Sequence, residues 1–187
     1  MRRIVLAVLA IAVACGAIAF FSYQPHKTSS AQVPVQSAAA AQALPQIDYS
    51  TVALTKPYSD DRYKFSLSMP DNFAARQLPA DDSGATTILL ESADHADGVQ
   101  ITVTPWDGPA TALTPEGITH DTGLTVTDPQ PINIQGATGI MFRSDNPAFD
   151  GAASDAWFVS RGNIYQLSTY ARDDAVLKKM LASWTFF

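Results

Sequence analysis

Twenty consecutive residues near the start of the chain, Ile4 to Tyr23 (IVLAVLAIAVACGAIAFFSY), carry no charge, and only Ser22 and Tyr23 hydrogen-bond strongly through their side chains. A helix of that length rises about 30 Å, the hydrocarbon thickness of a bilayer. It would be apolar on every face, which a small soluble domain cannot use. Arg2 and Arg3 precede the run and only Lys27 follows closely. That asymmetry directs the N-terminus to the cytoplasm and everything after Tyr23 to the outside. Residues 1–23 are therefore expected to be an uncleaved signal anchor, one transmembrane helix in the cytoplasmic (inner) membrane, with a periplasmic or extracellular C-terminal part. Phe20, Phe21 and Tyr23 would sit at the outer interface, where aromatic rings collect.

Two alternatives share this topology. Ala12-Val13-Ala14 and Ala17-Ile18-Ala19 have the Ala-x-Ala form of a cleavage site. Cys15 follows Ala14 as in a lipidated precursor, although Ala12 stands where Leu is usual. All three readings leave the remaining chain extracytoplasmic.

Residues 24–57 are rich in Ala, Gln, Ser and Pro and nearly uncharged. They lack the bulky apolar residues that would offset the entropy of ordering them, so a linker is expected. A coil of about 34 residues spans roughly 30 to 35 Å. Residues 47–56 are compatible with an edge segment of the domain that follows.

From Tyr58 the pattern changes. Tyr63 to Met69 alternates large apolar with polar residues, the period-2 signature of a half-buried strand, and Pro70-Asp71-Asn72 breaks it. Ala85 to Glu91 and Val99 to Thr104 flank a polar loop, as in a hairpin. Thr114-Pro115-Glu116 reads as a capped helix start, with Gly123 close behind. Ile132 to Ile134 and Ala137 to Arg143 flank Gln135-Gly136, and Ala153 to Ser160 and Ile164 to Tyr170 flank Arg161-Gly162-Asn163. Both are hairpin signals. Arg172 to Leu181 has acids early, lysines late and one apolar face, as a helix should. Residues 58–187 are thus expected to form an α+β domain, an antiparallel sheet of about six strands with helices packed on its faces.

The order of these features resembles PsbP-like domains. Tyr63 to Met69 followed by Pro70-Asp71-Asn72-Phe73 is similar to their opening strand. Trp157-Phe158-Val159, the Arg161-Gly162-Asn163 turn, Ile164-Tyr165-Gln166-Leu167, the helix from Asp173 to Leu181 and Ser183-Trp184-Thr185-Phe186 resemble their close. The resemblance implies an α/β/α sandwich and adaptor or assembly roles in place of catalysis. Many bacterial members are membrane-anchored.

The whole chain carries 18 acids against 12 bases, and beyond Lys56 the count is 17 to 8. So acidic a domain lacks the basic stripe of a nucleic-acid binder. One cysteine excludes an intrachain disulfide or a cysteine-cluster zinc site. No G-x-S-x-G, Walker or G-x-G-x-x-G pattern occurs, and His26, His95 and His120 have no partner at metal-ligand spacing. The metal candidates are weak: Asp145 and Asp150 in a loop lacking EF-hand spacing, and Asp94 with Asp97 beside His95. Trp106, after Pro105 at a strand end, is the candidate interaction anchor. The expected function is therefore a non-enzymatic, membrane-tethered domain without a cofactor that binds a protein partner. The alternative is a small-ligand or calcium-binding module.

The anchor has a direct check. A C-terminally tagged chain should stay with the membrane at full size; a soluble product starting near Ala31 or Gln32 would overturn the uncleaved reading.

Overall fold

A computed structural model describes residues 50–80 and 84–187. The expected anchor, most of the linker, Cys15 and His26 lie outside them. Among the described residues no helix is long and apolar enough to cross a membrane.

Ten strands and two helices follow in the order β1 (Leu54–Asp60), β2 (Phe65–Pro70), β3 (Phe73–Gln77), β4 (Thr86–Ser92), β5 (Gly98–Pro105), α1 (Pro115–Thr122), β6 (Val126–Ile134), β7 (Ala137–Ser144), β8 (Ala153–Ser160), β9 (Asn163–Tyr170), α2 (Asp174–Ala182) and β10 (Thr185–Phe186). They make two antiparallel sheets. The larger runs β3-β4-β5-β9-β8-β7-β6 and the smaller β1-β2-β10.

The single sheet of about six strands needs correction to ten strands in two sheets. The strands that escaped the period-2 pattern are edges. β3 exposes every residue after Phe73, and β6 is mostly exposed and holds Pro129 and Pro131. An edge strand that buries neither face has no reason to alternate. β1 pairs only with β2, and the boundary expected at Tyr58 falls inside it.

Alternation along the central strands separates two cores. Ile88, Leu90, Val99, Ile101, Val103, Phe158, Tyr165 and Leu167 face one side, where Val176, Leu177, Met180 and Leu181 of α2 and Phe65, Leu67 and Met69 of β2 cover them. On the other side Ile140, Phe142, Trp157 and Ile164 meet Ile118 of α1. The two helices thus lie on opposite faces, and α2 shares its face with the small sheet.

The turns and caps follow local chemistry. Thr114 caps α1 by accepting from the Gly117 N–H at 3.1 Å, and Gly123 closes it in the left-handed region. Arg161-Gly162 turns β8 into β9 with φ of 51° and 72°, the positive pair a tight hairpin requires.

Four rings tie the layers together. Phe65 of β2 stacks on Trp184 at 4.2 Å, Phe158 of β8 stacks on Tyr165 of β9 at 5.2 Å, and Trp184 stands edge-on to Phe158 at 5.3 Å and to Tyr165 at 5.7 Å. Upstream, the Lys179 ammonium of α2 donates to the carbonyls of Ser50 and Val52 at 2.7 and 2.8 Å.

Gly139 of β7 sits opposite Phe158. A Cβ there would lie 2.3 Å from the Trp157 carbonyl oxygen and 2.5 Å from the Phe158 Cβ. Both belong to the neighbouring strand and have little room to give. Gly139→Ala should therefore cost about 1 to 3 kcal/mol, seen as a lower midpoint in urea with an unchanged slope.

Candidate functional site

A row of open cavities lies along the β6–β7 ribbon, two of them bordered by α2. β6 is irregular here: its register against β7 shifts between Thr127 and Gln130, and Asp128 has a φ of 50°. Such a bulge bends an edge strand away from its neighbour. Three cavities follow the ribbon in sequence. The first, about 410 Å³, is lined by Thr125, Asp145 and Arg143. The second, about 340 Å³, is lined by Asp128, Gln130, Met141, Arg143, Asp174 and Lys178. The third, about 460 Å³, contains Ile132, Met141, Lys178, Leu181 and Trp184. Arg143 borders the first two, and Met141 and Lys178 border the last two, so the three adjoin in a row, a trough of neighbouring cavities.

The middle of the trough is charged. Asp174, at the start of α2, accepts from Lys178 Nζ at 2.6 Å and Ser154 Oγ at 2.6 Å, and Arg143 Nη2 lies 3.5 Å away. Burial acts to raise the Asp174 carboxyl, but the Lys178 and Ser154 bonds and the Arg143 charge together hold it below its ordinary value. Arg143 Nη1 also donates to the Ala171 carbonyl at 2.9 Å, which fixes the guanidinium. Two cations therefore meet at this carboxylate, and a second acid, Asp128, lines the same cavity. One end of the trough is largely apolar, and the indole N–H of Trp184 is buried with no hydrogen-bond partner among the described residues. At the other end Asp145 accepts from the Thr125 hydroxyl at 2.6 Å and the Thr125 N–H at 2.8 Å, which lower its pKa.

The residues singled out in the sequence are placed as follows. Asp145 lies at the trough's end and is used locally to pin β6. Asp150 is exposed in the left-handed conformation that closes the 3-10 turn Pro147–Phe149. Asp94 accepts from Ser92 Oγ at 2.6 Å and from the Ala96 N–H at 3.3 Å, bonds that lower its pKa within a turn. Asp97 is buried, 3.5 Å from Arg172 Nη2. His95 reaches Glu91 at 3.2 Å, and His120 reaches Asp121 at 2.9 Å on the surface. Among the described residues no three of His, Cys, Asp and Glu are grouped to hold a metal ion. Trp106 is half-buried. It packs against the smaller core, and its ring N–H is buried.

Two acids were missed. Asp155, fully buried in β8, accepts from Ser168 Oγ at 2.5 Å and from Ser144 Oγ at 2.7 Å. Burial raises its pKa to about 6, against the pull of the two hydroxyls and of Arg143. An aspartate inside the apolar run Ala153 to Val159, in phase with Trp157, was the available signal. Asp173, also buried, is raised to about 6 by burial and by the Asp97 charge, with Arg172 opposing. Lone acids at helix starts usually cap, and Asp173 makes no capping bond, so its sequence position misled.

Both raised acids bind protons more tightly folded than unfolded. Stability should therefore fall as pH rises from about 4 to 6. Melting temperatures across that range should show the decline. Asp155→Asn, which stays neutral, should flatten it, and an unchanged slope would remove Asp155 as a source.

No family model matches the chain, and no curated protein does. Among solved structures, the solution structure of cyanobacterial PsbP (CyanoP) from Synechocystis sp. PCC 6803 superposes with a TM-score of 0.52 at 11% identity, covering 77% of this chain and 99% of that one. A crystal structure from Bacteroides thetaiotaomicron VPI-5482 gives 0.43 at 10% identity, covering 72% of this chain and 49% of that one. The first likeness is one of fold, and the fold of this chain is PsbP-like.

Proposed function

We propose that this chain is a non-enzymatic, membrane-tethered interaction module outside the cytoplasmic membrane, and that it holds an extended segment of a protein partner in the trough between β6–β7 and α2. The observation that carries this reading is the row of three adjoining cavities bordered in common by Arg143, Met141 and Lys178. An elongated trough with an apolar end and a charged middle suits a peptide, which supplies side chains at regular intervals along an extended backbone.

The electrostatics define the peptide. Arg143 and Lys178 both contact Asp174, and Asp128 lines the same cavity, so the centre sets two bases among two acids. The Lys178 side chain is 60% exposed, and an Asp or Glu of the partner pairs with it. An aliphatic or aromatic residue a few positions away fills the space beside Ile132, Leu181 and Trp184. Tethering supports the same reading, since a domain held at a membrane meets envelope proteins at high effective concentration.

The test is a display library of peptides of about twelve residues screened against the full chain. Enriched peptides should pair an acidic residue with a large apolar one. Lys178→Glu, with the fold confirmed by circular dichroism, should weaken the best peptide roughly tenfold. Ile132→Glu should weaken it independently. Peptides that bind both variants as tightly as the parent chain would refute the trough as the site.

A further inference from the structure

The outer edge of β3 is the second surface with unmet chemistry, and it lies at the opposite end of the large sheet from the trough. The Leu78 N–H donates to the Thr87 carbonyl at 2.8 Å. Hydrogen-bonded pairs alternate along an antiparallel ladder. Arg76 and Ala74 therefore also turn their backbone groups toward β4, while Phe73, Ala75 and Gln77 turn theirs outward. Lys56 Nζ confirms the direction, because it reaches the Phe73 carbonyl at 2.7 Å. Among the described residues nothing bonds the N–H and C=O groups of Ala75 and Gln77.

Other edges carry protection. β6 has Pro129, Pro131 and a shift in register. β1 has Pro57 and a shift of its own, and β10 is two residues long. β3 pairs regularly with β4 from Phe73 to Gln77 and has no proline until Pro79. Unprotected, regular edges are templates for strand addition.

We infer that this edge pairs antiparallel with the same edge of a second copy of the chain, centred on Ala75. The outward residues Phe73, Ala75 and Gln77 are symmetric about that centre. Ala75 then exchanges both backbone bonds with its counterpart, and Gln77 meets Phe73, whose carbonyl can accept a second donor. Centring on Gln77 instead would set Pro79 opposite Ala75 and lose a donor.

Charge selects the second copy as occupant. Arg76 Nη2 lies 3.1 Å from Glu91 Oε1 of its own chain. In the paired register Arg76 of the second copy faces Ala74, and Ala74 faces Glu91 across β3–β4. Two strand spacings are about 10 Å, within reach of an arginine that needs only to extend past a methyl group. The edge thus presents alternating Arg76 and Glu91 from both copies, and small Ala74 and Ala75 let the backbones approach.

Sedimentation equilibrium of the full chain in detergent tests this. The parent chain should show a concentration-dependent dimer. Ala75→Pro removes only an outward N–H, so it should abolish the dimer and leave the circular dichroism spectrum of the folded chain unchanged. Arg76→Glu should weaken dimerisation roughly tenfold, and Arg76→Glu with Glu91→Arg should restore it. A monomeric parent chain, dimerisation of a folded Ala75→Pro variant, or failure of the charge exchange to restore the dimer would each overturn the proposal.

Discussion

The stack of Phe65 on Trp184, braced by Phe158 and Tyr165, decides how the layers meet. Phe65 belongs to the small sheet, Trp184 to the stretch leaving α2, and the other two to the centre of the large sheet. Offset and edge-to-face contacts between such rings add directional preference to plain burial. They fix the height of α2 above β7, β8 and β9. That height sets the width of the trough, because Lys178 and Leu181 line it from α2 and Met141 lines it from β7.

The same large sheet has two unlike ends. At β6 the bulge, the prolines and the fixed Arg143 shape the recess proposed to hold a foreign segment. At β3 a short, regular, nearly uncharged strand leaves backbone groups pointing outward. A bent edge beside a helix offers side-chain pockets, whereas a straight edge offers main-chain bonds. The proposed peptide-holding trough and the proposed self-pairing edge therefore do not compete for surface.

Much of the fold was legible. β2, β5, β8 and β9 bury one or both faces in phase, so period 2 located them, and the turn chemistry of Gln135-Gly136 and Arg161-Gly162 fixed two hairpins. The helix on Val176, Leu177, Met180 and Leu181 was equally plain, and its start differs only in that Ala171–Asp173 form a 3-10 turn before Asp174. Edge strands were hidden because their side chains meet solvent on both faces. The trough was hidden for a different reason. Arg143, Lys178 and Asp174 lie far apart in sequence or look like an ordinary helical charge pair, and only the pairing of β7 with β8 brings Arg143 to α2.

The two bonds from Lys179 to the carbonyls of Ser50 and Val52 have a mechanical consequence. Any pull on the chain upstream of Ser50 meets these bonds before it meets the ladder between β1 and β2. The load passes into α2, whose Val176, Leu177 and Met180 are fully buried, and not into an edge strand that could peel residue by residue. Lys179 thus acts as a strain relief, and tension on the leading segment is shared with the core before it can unzip the small sheet.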